Sequence, residues 1–519
     1  MDLGAKLAKN AHDFPRKTAL IFRDGKLSYA ELNERATRFA NGVRALGLKP
    51  RDRAAVILRN RSEFVEIIFG LTKAGVTLVP VNWRFASEEM RYVIEHSEAS
   101  AVVVADEFLD KLSPVLRDLG RVDRNRIICL DAMPLPDAHA YEDFLATASD
   151  AELGIENSPT DPFYFGYTSG TTGFPKAAVN PHGDWETRML GLFSLFRLGP
   201  DDVQLLAMPL FHANAIASST GSLYAGQTTV IMERFDPEEA LRLMERHRTT
   251  YSSMVPTMFN RMKNLPKQTF AKYDVSSMKC FIQSSAPIPF PTKKWVIENF
   301  RNACLHEFYG GTEVGVVTYL APEEQLERPG SVGKALPVVE IKLVDEEGRE
   351  VPRGQIGQLI SRPLAGVNLG RAAEYYKDLS STKNYFKEGW FYSGDMARMD
   401  EDGYYYLVDR KFDMIISGGE NIYPAEIEAV LYRNEKVLEA AVIGVPDDDY
   451  GEAVKAVLVL KEGKEATEEE IIRSCRPHLA GYKVPRSVDF VAELPKTDTG
   501  KILKKILKAP YWKGLGTRI

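Results

Sequence analysis

The sequence predicts an α/β protein, with a large multi-sheet α/β N-terminal domain followed by a small α+β C-terminal domain. Three observations carry that expectation. Short β-branched runs alternate with longer amphipathic stretches over several hundred residues, the pattern of largely parallel sheets covered by helices. At 519 residues the chain is too long for one ordinary core. From "GYYYLVDRKFDMIISGGENIYPAEIEAVLYR" onward, beginning at Gly403, the elements shorten into a compact set of roughly 110 residues, enough for a separate domain.

Taken in order, "RAAVIL" (Arg53–Leu58) reads as a strand. "SEFVEIIFGLTKAG" reads as a helix opened by Ser62 and stopped by Gly75, and "VTLVPV" as the next strand. The alternation recurs at "SAVVVAD", "RIICLD", "TTVIME" and "MKCFIQ", with helical stretches such as "DPEEALRLMERH" between them. Phe163–Tyr167 and Ala177–Val179 read as two strands joined by a polar loop. The seam falls at the charged trio Asp409-Arg410-Lys411 after the apolar "YYYLV", dividing the chain into 1–409 and 410–519.

Hydrophobic content of 44% and charged content of 27% are those of a soluble globular protein. A net charge of −6 gives no general attraction to nucleic acid or anionic membrane. Cys129, Cys280, Cys304 and Cys475 are far apart, which implies neither a disulfide framework nor a zinc site and suits a reducing cytosol. The N-terminus has no apolar core of signal-peptide length. The most apolar region, Phe64 to Val81, is interrupted by Glu66 and Lys73, so no integral membrane segment is expected and the cytoplasm is the default compartment.

The polar loop is "YTSGTTGFPK" (Tyr167–Lys176). Gly170 and Gly173 permit close backbone approach, Thr168, Ser169, Thr171 and Thr172 add hydroxyl donors, and Lys176 adds a cation. Successive N–H groups in such a turn make a concave anion site, so polyphosphate is the expected ligand. It is not a Walker loop, which needs Gly-Lys-Ser/Thr opening a helix. Here Phe174-Pro175 separates Gly173 from Lys176, and Ala177 supplies no hydroxyl.

That loop resembles the signature of the adenylate-forming superfamily, specifically its acyl-CoA synthetases. The resemblance continues in family order through "PLFHANA", "SSAP", "EFYGGTE", "WFYSGD", "DRKFDMIISGGENIYPAEIE" and "PKTDTGK". It implies a mobile C-terminal lid and a two-step reaction. ATP converts a carboxylic acid to an acyl-adenylate with release of pyrophosphate, and coenzyme A then takes the acyl group. Such a site works by positioning and charge stabilisation more than by proton chemistry.

By the same resemblance, Thr168, Ser169, Gly170, Thr171, Thr172, Gly173 and Lys176 cradle the phosphates. Glu313 holds Mg2+ and Thr312 touches the α-phosphate. Tyr309 stacks on adenine within the nucleotide-binding run Glu307, Phe308, Tyr309, Gly310 and Gly311, and Ser285, Ala286 and Pro287 line the other side of the base. Asp395 and Arg410 take the ribose, and His212 stands beside the acyl site. Gly418 and Gly419 admit the pantetheine arm, Lys501 reaches the α-phosphate during adenylation, and Asp409 is the hinge. Two departures from the family pattern stand out: Ala177 replaces a glycine, and Phe412 replaces a lysine.

The acyl pocket is expected from "HANAIASST", the helix near Trp185 and "FIQSSA", all apolar or small. This suits a medium-chain aliphatic, alicyclic or aromatic monocarboxylate, with chain-length preference graded at about 0.8 kcal/mol per buried methylene. Two other readings stay open: an acyl-adenylating enzyme that serves a carrier protein or other acceptor, and a non-catalytic nucleotide-binding regulator. The sequence also leaves the oligomeric state open, a homodimer being one option.

Overall fold

The computed structural model describes residues 2–513 apart from 132–134, 169–174, 186–190, 192–193, 286–287, 289, 346, 411–414, 423, 496–501 and 503. Among the described residues, three sheets of fourteen, seven and five strands organise the chain. The seven-stranded sheet runs through 139–140, 127–129, 101–104, 53–57, 77–80, 162–168 and 176–181. Its pairs are parallel until the last, where Pro162–Thr168 and Lys176–Pro181 form an antiparallel hairpin. Thr77–Pro80 and Ala101–Val104 are buried along their whole length. Apolar runs without alternation are what a parallel sheet covered on both faces requires.

Helices form where the sequence signals them. Ser62–Ala74 ends at Gly75, which adopts the left-handed conformation at φ 70°. Pro237–His247 starts at Asp236, whose side chain accepts from the Glu238 and Glu239 amides. Tyr29–Ala45 and Ser62–Ala74 pack on each other, and Tyr29, Phe39, Phe64 and Phe69 disappear into the main core there.

The fourteen-stranded sheet has a parallel half, with 18–22, 228–231, 203–206, 251–254, 280–283 and 304–311 side by side. The strands from Gly315 to Arg410 extend it antiparallel. Val255, Ser284 and Tyr309 lie at or beyond the carboxyl ends of parallel strands, the side on which such sheets bind ligands.

The five-stranded sheet belongs to the small domain, with helices Pro424–Leu431 and Glu468–Cys475 and a core of its own around Val442, Leu458 and Ile471. The large sheet's last strand ends at Arg410 and the small sheet's first begins at Ile415. No described helix is long and apolar enough to cross a membrane.

Candidate active site

The polar loop joins two strands, as its sequence predicts. Thr168 faces Lys176 and Tyr167 faces Ala177 across the hairpin. Ser169, Gly170, Thr171, Thr172 and Gly173 lie outside the described residues, so the geometry comes from the stems and their neighbours. A Cβ added at Gly166 would lie 2.3 Å from Thr312 Cγ2. Only glycine lets the 311–314 turn settle so closely on the hairpin. The turn brings Glu313 to Thr168, whose hydroxyl donates to Glu313 Oε1 at 3.3 Å. Tyr375 donates to the same oxygen at 2.8 Å.

Tyr375 also bridges to Ala178 on the Lys176 strand. The rings of Tyr375 and Tyr385 lie 5.8 and 5.4 Å from Lys176 Nζ, within cation–π reach. Burial pushes the Lys176 ammonium below its ordinary pKa, against the pull of Asp378 and Glu313. The loop is therefore flanked by one buried cation and one carboxylate held by two hydroxyls. Among the described residues, no group of three or more His, Cys, Asp or Glu side chains could enclose a metal ion. Magnesium needs no such cage, since it takes one or two carboxylates and completes its shell with phosphates and water. Glu313 fits that requirement.

Among the residues expected to bind the nucleoside, Tyr309 donates to Asp395 Oδ2 at 2.6 Å. Asp395 is the cross-strand partner of Arg410, so backbone register alone brings the two ribose candidates together. The Arg410 side chain is not described. Gly310 and Gly311 end the strand that leads into Thr312. Glu307 and Phe308 have their side chains committed elsewhere. Glu307 forms a buried ion pair with Lys293 at 2.6 Å, and Phe308 packs edge-on against Phe196 at 5.6 Å. Any part these two take in nucleotide binding runs through their backbone. Ser285 is exposed and held at φ 73°, a left-handed conformation uncommon outside glycine. Ala286 and Pro287 lie outside the described residues.

The small domain enters the site through a hairpin. Gly418 and Gly419, at φ 61° and 81°, form the turn between Ser417 and Glu420. Two-residue turns of this kind need positive φ at both central positions. A Cβ on Gly419 would lie 3.2 Å from Val255 Cγ2, so the turn rests against the large domain. The next residue, Glu420, pairs with His212 at 3.3 Å and with Arg84. Burial opposes the Glu420 charge, but His212, Arg84 and Lys483 outweigh it and hold the carboxyl below its ordinary range. Lys501 and Phe412 lie outside the described residues.

His212 stands immediately before the helix Ala213–Tyr224. Ala213, Asn214, Ala217 and Ser218 are half-exposed at helical spacing and make one stripe of small side chains. Asn214 donates to Ser284 Oγ at 2.6 Å and accepts from Ser253 Oγ at 2.8 Å, tying the stripe to two strand ends. Of the helix near Trp185 that is expected to line this pocket, residues 186–190 and 192–193 lie outside the described residues. Trp185 is a core residue, edge-on to Phe163 at 5.5 Å and stacked on Tyr224 at 6.3 Å.

A polar hairpin beside a carboxylate, a Tyr–Asp pair and a second domain carrying a glycine turn lie together in one constellation, and comparison with known proteins gives the chain's family. The AMP-binding enzyme family matches residues 7–368, and the AMP-binding enzyme C-terminal domain matches residues 426–501. The chain is an AMP-binding enzyme. It belongs with the CoA ligases of the adenylate-forming superfamily, and the match reaches back to residue 7, well before the first recognisable motif at Tyr167. It is 35% identical to a feruloyl-CoA synthase of Amycolatopsis sp over 97% of each chain. It is 33% identical to an indoleacetate–CoA ligase of Aromatoleum aromaticum, again over 97% of each. A double mutant of o-succinylbenzoate CoA synthetase from Bacillus subtilis, bound with its product analogue, superposes with a TM-score of 0.85 at 28% identity, covering 97% of this chain and 98% of that one. The same synthetase in complex with its acyl-adenylate intermediate gives 0.69 at 28% identity, over 97% of each chain.

Several residues of this AMP-binding enzyme's site escape sequence reading. Tyr375 and Tyr385 stand some 200 residues after the loop lysine that they contact. Glu420 carries no signal beyond its place after Gly419. Gly166 precedes the conspicuous glycines and looks like an ordinary strand residue. Only the packed structure brings these groups to the site.

Proposed function

We propose that this enzyme activates a monocarboxylic acid with ATP, releases pyrophosphate, and transfers the acyl group from the adenylate to coenzyme A. In the first half-reaction, Thr168–Gly173 and Lys176 hold the triphosphate. Glu313 holds magnesium, which neutralises phosphate charge. Thr312, seated against Gly166, orients the α-phosphate. Tyr309 stacks on adenine while its hydroxyl fixes Asp395 for the ribose. Lys501 stabilises the charge that develops between carboxylate and α-phosphorus. His212 stands on the acyl side.

The observation that carries the second half-reaction is the Gly418–Gly419 turn against Val255, with Glu420 gripping His212. A backbone without side chains at that point leaves a narrow path for a thiol. The higher TM-score with the product-analogue complex supports reading this arrangement as the thioester-forming one. The lid would rotate about Asp409 to bring Lys501 in for adenylation, and the change of sheet between Arg410 and Ile415 supports a boundary at 409/410.

A cleft of about 750 Å³ between the domains supports coenzyme A as acceptor. Arg84, Lys111, Arg476 and Arg486 line it, and Arg84 connects it to Glu420 beside the glycine turn. Four cations suit the several phosphates at the nucleotide end of coenzyme A, whereas a carrier protein's phosphopantetheine arm brings only its phosphodiester. The acid is read as an aromatic monocarboxylate, ahead of medium-chain aliphatic and alicyclic acids. The stripe of small side chains leaves room for a ring, and the feruloyl and indoleacetate relatives support that order. The proposed compartment is the cytoplasm.

ATP–pyrophosphate exchange with a panel of acids, followed by thioester formation with and without coenzyme A, tests the reading. Exchange without thioester would point to another acceptor. Absence of exchange with every acid would leave a nucleotide-binding protein.

A further inference from the structure

The small domain buries one charged side chain almost completely against the large one. Lys483 is 1% exposed, although a lone lysine is costly to desolvate. Its ammonium lies 2.5 Å from Glu426 Oε1, within the small domain, and 3.0 Å from Glu89 Oε1, on the large domain. Phe85 of the large domain lies 4.6 Å from the ammonium, and the adjacent Tyr482 hydroxyl accepts from Asn82 at 3.0 Å. Glu89 divides its oxygens: Oε2 accepts from the Ala86 amide at 2.9 Å, capping the helix Ser87–His96, while Oε1 takes Lys483.

The two carboxylates differ in what a domain rotation would do to them. Lys483 and Glu426 travel together, so their contact survives. Lys483 and Glu89 belong to different domains, so a rotation of one domain against the other would part them. Among the described residues their contact is also drier than the other ionic contacts between the domains, since Arg84 and His212 are about one-third exposed while they hold Glu420. In a dry setting each charge depends strongly on its partners. Burial pushes the Glu426 carboxyl up to about 7, because one lysine cannot neutralise two carboxylates. Despite burial, Tyr482, Glu426 and Glu89 hold the Lys483 ammonium above its ordinary pKa.

We propose that Lys483 and Glu89 form a latch that holds the lid in the thioester-forming arrangement, making Glu89 a positioning residue for acyl transfer although it touches no substrate. The proposal rests on the two-step ligase reading above. Its direct consequence is a half-reaction bias. Removing the Glu89 charge leaves Lys483 its small-domain partner but weakens its hold on the large domain.

Glu89→Gln is the discriminating variant. Glutamine at this position still accepts from the Ala86 amide, so the helix cap survives, while the charge facing Lys483 is gone. Wild type is first run through both half-reactions, and failure of either there refutes the ligase reading itself. In the variant, transfer from supplied acyl-adenylate to coenzyme A is expected to fall by about tenfold or more. Pyrophosphate exchange should remain within about twofold of wild type, within the spread of an uncoupled surface change. A second readout reports domain position without turnover: fluorophores on the exposed Cys304 and on Glu469→Cys, in a background with or without Glu89→Gln. The latch predicts that the variant changes the distribution of transfer efficiencies in the free enzyme. Equal loss in both half-reactions, no loss in either, or an unchanged distribution overturns it.

Discussion

Gly166→Ala should cripple adenylation through a single methyl group. The added Cβ would sit 2.3 Å from Thr312 Cγ2, well over 1 Å inside the ordinary carbon–carbon separation of about 3.5–4.0 Å. The remaining contacts, 3.1 Å to Asn180 Nδ2 and 3.3 Å to Tyr164, need shifts of only a few tenths of an ångström. Thr312 must therefore move by about 1 Å, and a displacement of that size at a positioning residue can cost about a hundredfold in rate. The assay is ATP–pyrophosphate exchange at saturating acid, on protein whose melting temperature shows that it is folded. Thr312→Ser removes Cγ2 and keeps the hydroxyl. The double variant Gly166→Ala/Thr312→Ser should thus recover to within about tenfold of Thr312→Ser alone, because the worst contact is gone. A double variant no faster than Gly166→Ala would refute the argument, as would a Gly166→Ala enzyme with wild-type exchange.

Three further outcomes are expected. Tyr375→Phe loses the hydroxyl that holds Glu313 but keeps the ring beside Lys176, so the magnesium concentration for half-maximal exchange should rise by roughly threefold or more, with little change in KM for ATP at saturating magnesium. An unchanged magnesium titration would remove Tyr375 from the site. Arg476→Glu and Arg486→Glu should each raise KM for coenzyme A by about tenfold and leave pyrophosphate exchange intact; equal KM values would empty the interdomain cleft of its assigned role. Burial pushes the Glu66 carboxyl up to about 7, despite Arg35. Its folded value lies above its unfolded one, so the stability it permits is full below the ordinary carboxylate range and declines as pH rises through about 7. Thermal unfolding at about pH 5 and about pH 8 should show that decline, and Glu66→Gln should lessen it.

The chemistry of this protein was legible in short local runs. "YTSGTTGFPK" displays its hydroxyls, glycines and lysine in consecutive positions, and the hairpin forms where the two flanking apolar runs meet. Asp395 and Arg410 are also readable as a pair, since each belongs to a local motif and strand pairing does the rest. Parallel strands announce themselves because burial on both faces leaves no room for polar residues, as in "AVVV" at Ala101–Val104. Trp185 carries no local mark of which way its ring faces; packing on Phe163 and Tyr224 decides that. The same holds for the groups that join distant segments. Tyr375 reaches Glu313, Glu420 reaches His212, and Lys483 reaches Glu89 across 394 positions of chain. A side chain's local sequence sets its charge and its place on a strand or helix. Its partner across the fold depends on how sheets and domains pack, and that packing is a property of the whole chain.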